Sequence, residues 1–305
     1  MVTVPAAGRL TAATVTALVL GIGSASAFPL SATTPMCSDV GAPRSVAQPS
    51  AYEAVAFDSD GRMLVSNAFG NSVDMVDTPG APPRSVATVP SPGGIAPLPD
   101  GTVLVGSGNS TTAFLAPTAE LRQLNPTTGE QRVVANGLSM ANGVVRASDG
   151  TVYASSDVEP AIDRVHPDGR VERAWYRAST ANGLALSADE RTLFANVSIG
   201  DTSIVAIDTE TGASRVHFRP PPALALAFLD DLDIDGAGRL YTNAFLAGQT
   251  WRVDPDGSFC AVATNLVFPA GISVGAAGSP FAADSVYVTT YSGSVYEIPR
   301  AVPRP

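Results

Sequence analysis

The stretch ANGLALSADERTLFANV, residues 181–197, decides the fold because five other stretches of the chain repeat its pattern. Each copy indicates a strand, a tight turn and a second strand. The other copies are EAVAFDSDGRMLVSN (53–67), GGIAPLPDGTVLVGSG (93–108), ANGVVRASDGTVYASSD (141–157), DDLDIDGAGRLYTNAF (230–245) and AGISVGAAGSPFAADSVYVTT (270–290). Equivalent positions are spaced by 40, 49, 40, 48 and 40 residues. Several strands in a unit of that length predict an all-β fold, a six-bladed β-propeller.

The two ends of the chain predict how the propeller closes. The last repeat ends at SVYEIP (294–299), one strand short of a four-stranded blade. Near the N-terminus, PRSVAQPS (43–50) resembles PRSVATVPS (83–91), which stands where the outermost strand of the first blade is expected. We therefore expect an N-terminal strand to close the last blade. The alternative is a two-sheet sandwich, but that fold would not explain why six copies of one strand–turn–strand pattern occur.

The N-terminal residues indicate export. Residues 1–27 resemble a secretory signal, with Arg9 as the only charge, an apolar run at 11–23 and Ala25-Ser26-Ala27 before Phe28. The apolar run is too short for a spanning helix, although an uncleaved anchor is an alternative. We expect a tail at 28–42, one propeller domain at 43–305, and a secreted, extracellular or cell-envelope location without a membrane contact after cleavage.

The composition of the chain limits the kinds of molecule that we expect it to bind. The formal net charge of −10 disfavours nucleic acid and mildly favours cations. We expect a monomer whose partner is a small-molecule substrate. The only two cysteines, Cys37 and Cys260, are expected to form a disulfide in an exported protein, the alternative being two unpaired thiols.

Counting back seven residues from the turn in each repeat reaches one equivalent position per blade. These positions are Glu53, Gly93, Asn142, Asn182, Asp230 and Ala270. Four of them carry a side-chain oxygen, and none is His or Cys. Each taken alone is an ordinary turn or strand-start residue, but arranged around a propeller axis the four would converge on one point. The oxygen set predicts a Ca²⁺ site, with Mg²⁺, Mn²⁺ and Zn²⁺ as alternatives.

Other catalytic arrangements lack the residues they need. The only histidines, His166 and His217, fall in the outer halves of their blades, so no Ser-His-Asp triad can form at the axis. No Gly-rich phosphate loop follows a strand and opens a helix. Metal-assisted chemistry is therefore the expectation.

Two of these stretches also resemble a known family. ANGLALSADERTLFANV is similar to a Pro-Asn-Gly-Leu motif, and FLDDLDIDGAGRLYTNAF to an Asp-Gly-Leu-x-x-Asp motif, of the calcium-dependent phosphotriesterase superfamily. Within it, residues 43–299 resemble the family of senescence marker protein (regucalcin), gluconolactonase and luciferin-regenerating enzyme. The resemblance implies that Glu53, Asn182 and Asp230 bind the metal, and that Asn142 contacts the metal or the substrate. It also implies that Asp230 is the general base or nucleophile, with Asp231 as an alternative.

The chain departs from the family pattern at positions that affect which substrate we expect it to bind. Met140 occupies the position where the sugar-lactone enzymes of the family have an Arg that holds the substrate. The two long spacings place extra residues at 106–120 and 217–228, on the same face as the four oxygens. We expect an apolar rim around the metal, or alternatively loop residues that only pack on one another. The rim residues are Phe114, Leu115, Leu224, Leu226 and Phe228, and the expected substrate pocket adds Met140 and Asp231.

The sequence therefore predicts a secreted, Ca²⁺-dependent hydrolase, a lactonase or esterase that acts on a fairly hydrophobic ester. Phosphotriester hydrolysis or a non-hydrolytic cyclisation or isomerisation at the same metal site is an alternative. A third interpretation is a non-enzymatic propeller with a structural metal and an interaction surface, because fold does not fix function.

Overall fold

The computed structural model consists of six four-stranded antiparallel sheets. It describes residues 34–47, 50–110, 116–177 and 180–304, so the predicted signal at 1–27 lies outside the described part. Innermost strands of neighbouring sheets contact one another around the ring, including β2 with β22 and β14 with β18. The six-bladed β-propeller expected from the repeats is confirmed.

The first three blades run from the axis outward in chain order. Blade 1 comprises β2 (Tyr52–Phe57), β3 (Met63–Asn67), β4 (Ser72–Val76) and β5 (Arg84–Thr88). Blade 2 comprises β6 (Pro92–Pro97), β7 (Val103–Ser107), β8 (Ala119–Leu124) and β9 (Gln131–Leu138). Blade 3 comprises β10 (Val144–Arg146), β11 (Val152–Ser156), β12 (Ala161–Val165) and β13 (Val171–Tyr176).

The remaining blades follow the same order until the last strand. Blade 4 comprises β14 (Ala181–Leu186), β15 (Thr192–Val197), β16 (Ser203–Asp208) and β17 (Ser214–Phe218). Blade 5 comprises β18 (Leu229–Ile234), β19 (Leu240–Ala244), β20 (Gln249–Val253) and β21 (Phe259–Ala263). Blade 6 comprises β22 (Pro269–Val274), β23 (Val286–Thr290), β24 (Val295–Ile298) and β1 (Arg44–Ala47). In the described part of the chain, two short 3-10 helices span Pro222–Leu224 and Phe245–Ala247.

The ring closes through the N-terminal strand, as predicted. Strand β1 pairs antiparallel with β24, and Arg44 forms an ion pair of 2.8 Å with the buried carboxylate of Glu297. The preceding tail is held against blade 5, where Cys37 is disulfide-bonded to Cys260 in β21. The amide of Cys37 also donates to the carbonyl of Ala261 at 2.9 Å. The N-terminal strand therefore completes the last blade, and the tail that precedes this strand is fixed to blade 5.

The core lies between the blades, because each sheet buries its faces against its neighbours. One cluster packs Ile204 and Phe218 of blade 4 against Trp251 of blade 5, and all three are buried. Innermost strands such as β2 are buried along their whole length, whereas the outermost strand β5 is exposed or half-buried. Within the described residues, no helix has the length and hydropathy needed to cross a membrane.

A β-bulge recurs near the start of five of the six innermost strands. In β2 the register shifts between Tyr52 and Val55, and equivalent shifts occur in β6, β14, β18 and β22. A bulge places two residues opposite one partner and redirects their side chains. The residue redirected in blade 1 is Glu53, the position singled out by the repeats.

Candidate metal centre and active site

One residue of each blade lies at the start of the innermost strand, in five blades at the bulge, and we call these six positions the axial ring. Its four oxygen-bearing members are buried, with exposures of 8% for Glu53, 8% for Asn142, 2% for Asn182 and 6% for Asp230. Buried carboxylates and amides need partners, since an unpaired polar group away from water is costly. The other two members of the axial ring are Gly93 and Ala270.

Side chains of the second strands fix the backbone of the axial ring, and we call them the carbonyl clamps. Each donates to the carbonyl of an axial-ring residue in the next blade. The clamps are Ser66 to Gly93, Ser155 to Asn182, Asn196 to Asp230, Asn243 to Ala270 and Thr289 to Glu53, at 2.5, 2.5, 2.7, 2.6 and 3.1 Å. Blade 2 has Gly106 at the clamp position, and there the amide of Gly94 donates to the carbonyl of Asn142 at 2.5 Å. Each blade thus positions its neighbour's candidate ligand.

Glu53 is the centre of one hydrogen-bonded group. Its Oε1 accepts from Nδ2 of Asn109 at 3.2 Å and from Nδ2 of Asn142 at 3.4 Å. Its Oε2 accepts from the hydroxyl of Tyr291. Burial raises the pKa of Glu53, and these three hydrogen bonds oppose the rise because they stabilise the carboxylate. Asn109 and Tyr291 are site residues that the sequence reasoning missed.

Asp230 and Asn182 form a second group on the opposite side of the axial ring. The Asn182 side chain is hydrogen-bonded to the Asp230 carboxylate. Burial, and then the negative charge of Glu53, raise the pKa of Asp230 well above its usual value. The charges of Glu53 and Asp230 therefore act on each other. The four residues predicted as ligands lie in two hydrogen-bonded pairs of the axial ring, Asn142 with Glu53 and Asn182 with Asp230.

The donor set fits a hard cation. Oδ1 of Asn182 is buried and has no hydrogen-bond partner, although buried amide oxygens normally have one. Carboxylate and amide oxygens are the ligands Ca²⁺ prefers. Among the described residues, no three His, Cys, Asp or Glu side chains form a metal-binding group by themselves, so the site depends on its amide oxygens. Asn142 directs its amide nitrogen toward Glu53, and its amide must rotate to present oxygen.

Asp231 has a different role from the one considered for it as a base. Its Oδ1 accepts from the amide of Leu232 at 2.9 Å, and its Oδ2 accepts from the amide of Ile272 at 3.0 Å. Both oxygens are thus engaged by backbone, the second of them by the neighbouring blade. Asp231 lines a cavity of about 370 Å³ that runs along the axis beyond the axial ring. Burial raises its pKa to about 7.

Phe228, one of the residues predicted for an apolar rim, belongs to a group of packed aromatic side chains. Phe228 packs against Phe245 at 5.8 Å between ring centroids. Phe245 stacks on Phe268 at 5.0 Å and meets Tyr291 edge-on at 5.8 Å. Exposed Phe69 lies 6.0 Å from the Tyr291 ring. We call these five residues the aromatic wall, and Tyr291 joins it to Glu53.

The other rim predictions have mixed outcomes. Leu224 is wrong as a rim residue, because it is buried in the core between blades 4 and 5. Leu226 is 74% exposed. Phe114 and Leu115 lie outside the described residues. Met140 is buried, with its sulfur 3.9 Å from Oγ of Ser156.

The two histidines lie away from the axial ring, as expected. His166 follows β12, the third strand of its blade, and pairs with Glu172 at 3.3 Å. His217 lies in the outermost strand of blade 4 and packs edge-on against Phe194. Neither has a contact with the four candidate ligands, so the site is built from oxygens.

The sequence is similar to that of a known protein family. A family profile described as the SMP-30/gluconolactonase/LRE-like region matches residues 53–291. A comparison with curated protein sequences found no match.

Solved structures with the same propeller include enzymes and a calcium-binding protein. A gluconolactonase from Xanthomonas campestris superposes with a TM-score of 0.70 at 16% identity, covering 92% of this chain and 99% of its own. Regucalcin from Agrobacterium tumefaciens, described as calcium-binding, gives 0.63 at 15% identity, covering 82% and 92%. A virginiamycin B lyase from Staphylococcus aureus gives 0.58 at 18% identity, covering 81% and 80%. At these identities the likeness shows the fold alone.

Proposed function

The chain belongs to the SMP-30/gluconolactonase/LRE-like family, and from that premise we propose that it is an exported, divalent-cation-dependent hydrolase of lactones or esters that carry a large apolar group. The proposal rests on the position of Tyr291, which contacts both a candidate cation ligand and the aromatic wall. Its hydroxyl contacts Glu53 of the axial ring, and its ring belongs to the aromatic wall. Tyr291 therefore joins the candidate cation ligands to a group of aromatic side chains, and small-molecule sites typically combine a few polar groups with such apolar ones.

The residues that would hold the cation are Glu53, Asn182 and Asp230, with Asn142 after rotation of its amide. Ca²⁺ bound there would supply a Lewis acid that polarises an ester carbonyl. The carbonyl clamps hold these side chains in place before substrate arrives, since Asn196 bonds the carbonyl of Asp230 and Ser155 that of Asn182. Such preorganisation lowers the cost of reaching the transition state.

Asp230 is the residue that moves the proton. Its carboxylate would accept a proton from the attacking water, the water oxygen would bond to the carbonyl carbon, and the ester C–O bond would then break. The leaving oxygen takes up a proton and becomes an alcohol, which in a lactone remains attached to the acid product. Asp231 is less suited to this role because both of its oxygens accept backbone hydrogen bonds.

The aromatic wall supports an apolar substrate. Phe228, Phe268 and Tyr291 are half-buried and pack around the buried ring of Phe245, and rings of this kind bind apolar and aromatic groups. Met140 stands where an Arg would be needed for a sugar acid, and it is buried. The chain thus offers little that would pair with several sugar hydroxyls on that side.

Export is proposed from the signal-like residues 1–27 together with the disulfide. Cys37 and Cys260 are bonded in the structure, and such bonds persist in oxidising compartments. Mass spectrometry of protein recovered from outside the cytoplasm should show a mature N-terminus at Phe28. Recovery of an intact N-terminus in the cytoplasm would contradict this part of the proposal.

The function is tested by steady-state kinetics on a substrate panel with Ca²⁺ or a chelator. The panel comprises an aromatic lactone (dihydrocoumarin), phenyl acetate, gluconolactone and a dialkyl aryl phosphate. We expect turnover of the first two to exceed that of gluconolactone and to be lost in chelator. Full activity in chelator would overturn the metal dependence, and faster gluconolactone turnover would overturn the substrate class. Turnover of the phosphate alone would replace lactonase by phosphotriesterase.

A further inference from the structure

Two carboxylates join the innermost strands of blades 5 and 6, and we call them the carboxylate bridge. Asp231 and Asp233 lie two residues apart in β18. Each accepts with Oδ1 from the amide that follows it in that strand, at 2.9 and 2.8 Å. With Oδ2, Asp231 accepts from the amide of Ile272 in blade 6 at 3.0 Å, and Asp233 accepts from the amide of Val274 at 2.7 Å. Four hydrogen bonds thus hold the two strands side by side.

The amides that the carboxylate bridge binds belong to the free edge of blade 6. The amide of Gly275, directly after β22, donates to the carbonyl of Ser285 on the side of β23 at 2.9 Å. Backbone amides alternate in direction along an antiparallel strand, so those of Val274 and Ile272 face the propeller axis. Strand β22 has no neighbouring strand of its sheet on that side. The carboxylate bridge therefore supplies acceptors that these two amides need.

Blade 5 differs from the other blades at both positions of the carboxylate bridge. The residues equivalent to Asp231 are Gly94, Gly143, Gly183, Gly271 and Ala54. The residues equivalent to Asp233 are Ala56, Ala96, Val145, Ala185 and Ser273. A Cβ atom built on any of the four glycines would lie within 2.6 Å of a backbone atom of the next blade, closer than a real Cβ atom comes. Neighbouring strands therefore pack directly on those glycines, whereas blades 5 and 6 leave space for a carboxylate.

Asp231 belongs to the same bulge as Asp230. The register of β18 shifts between Leu229 and Leu232, so Asp230 and Asp231 are the two residues of the bulge. The ladder is interrupted at a bulge, and other groups must fix the backbone there. Nδ2 of Asn196 in blade 4 donates to the carbonyls of both bulge residues at 2.7 and 3.0 Å. The side chain of Asp231 ties the bulge to blade 6, so both neighbouring blades hold the backbone that carries Asp230.

We propose that Asp231 is a positioning residue, which fixes the bulge of blade 5 and so directs the carboxylate of Asp230 toward the attacking water. The inference rests on the proposed function, since it takes Asp230 as the base. Backbone amides engage both oxygens of Asp231, so it acts through Asp230 and not on the substrate. Asp233 makes the same pair of hydrogen bonds outside the bulge. It should stabilise the contact between the blades without directing Asp230.

Amide hydrogen exchange and thermal unfolding of the full chain test the carboxylate bridge without using activity. Asp231→Ala should speed exchange at the amide of Ile272, and Asp233→Ala should speed it at the amide of Val274, because each variant removes the acceptor. Both variants should lower the unfolding temperature by similar amounts, since each loses two hydrogen bonds. Unchanged exchange at Ile272 in Asp231→Ala would overturn the bridge, and the positioning role with it.

Hydrolysis of dihydrocoumarin at saturating Ca²⁺ separates positioning from a structural role. Asp231→Ala should lower kcat by about 10–100-fold, because a small displacement of a catalytic group has effects of this size. Asp233→Ala is the matched control, since it loses the same kind of hydrogen bonds, and it should retain the wild-type kcat. Asp231→Asn keeps one acceptor and loses the charge, so its kcat should fall less than that of Asp231→Ala.

The outcomes distinguish this inference from the proposed function. A kcat that falls in Asp231→Ala but not in Asp233→Ala, at similar unfolding temperatures, supports the positioning role. Equal kcat values in these two variants would overturn that role and leave the hydrolase standing. Equal losses in Asp231→Asn and Asp231→Ala would assign the effect to charge and would also overturn it. If the wild type hydrolyses no substrate of the panel, the proposed function fails, and the positioning role fails with it.

Discussion

The hydroxyl of Tyr291 donates a hydrogen bond to the Glu53 carboxylate, although 238 positions separate the two residues in the chain. Tyr291 directly follows the second strand of the last blade, and Glu53 lies in the first strand of the first blade. The contact therefore forms only when the ring has closed. Closure of the propeller therefore also orients Glu53, the candidate ligand of blade 1.

Replacement of Tyr291 should weaken the cation site without unfolding the protein. Tyr291→Phe keeps the ring in the aromatic wall and removes one of three hydrogen bonds that orient Glu53. We expect about a tenfold loss of Ca²⁺ affinity by calorimetry, since orienting groups typically contribute 10–100-fold. Tyr176→Phe is the control, because its hydroxyl bonds Ser214 at an exposed site. Equal effects of the two variants would contradict the orienting role.

The clamp at Asn196 should matter for stability. Its Nδ2 donates to the carbonyls of Asp230 and Asp231 and to Oγ1 of Thr242. Asn196→Ala removes this donor from the buried carbonyl of Asp230, whereas the carbonyl of Asp231 still accepts from Oγ1 of Thr242. Urea unfolding should show a loss of about 1–3 kcal/mol, the cost of one buried acceptor without its donor. Gln131→Ala, at an exposed amide, should cost little. A loss below about 0.5 kcal/mol would show that water replaces the clamp.

The stabilisation by Ca²⁺ should depend on pH. Burial raises the pKa values of Glu53 and Asp230 in the folded chain. A raised carboxyl pKa stabilises the metal-free fold at low pH, and this contribution is lost as pH rises through the pKa values of the folded chain. Ca²⁺ must displace the same protons. The gap in unfolding temperature between Ca²⁺-loaded and chelated protein should therefore widen from pH 5.5 to pH 8, and a constant gap would contradict the linkage.

Asp230→Asn should abolish turnover while it preserves the fold. The amide retains an oxygen for the cation, but it cannot accept a proton from water. We expect kcat to fall by at least about 100-fold, consistent with the 10²–10⁴-fold contribution of a general base. Circular dichroism and Ca²⁺ calorimetry on the same sample report whether fold and metal site survive. Wild-type kcat in this variant would remove Asp230 from the mechanism.

The sequence predicted the fold and the four axial oxygens because both follow from one repeat. A single phase in six copies locates the axial-ring residue of every blade, including Asn142 and Asn182. It did not locate Tyr291, since the position two residues past the carbonyl clamp varies from Ala and Gly to Phe in other blades.

Loop residues were the least predictable, because insertions break the repeat. Asn109 reaches Glu53 from the start of an insertion, where counting from the turn no longer applies. Leu224 was expected at the rim because it lies in the other insertion. The short helix Pro222–Leu224 instead turns it into the core, where burial of its side chain is favourable. Apolar content alone did not distinguish a rim from a core position.

The central claim is that Glu53 holds a cation needed for hydrolysis, and one measurement tests it most directly. It is the Ca²⁺ concentration that gives half-maximal hydrolysis of an aromatic lactone by the wild type and by Glu53→Gln. The amide lacks the charge that attracts Ca²⁺, so the half-maximal concentration should rise by about 10–100-fold, while excess Ca²⁺ restores much of the activity. The same half-maximal concentration in both proteins, or activity that needs no Ca²⁺, would contradict the account.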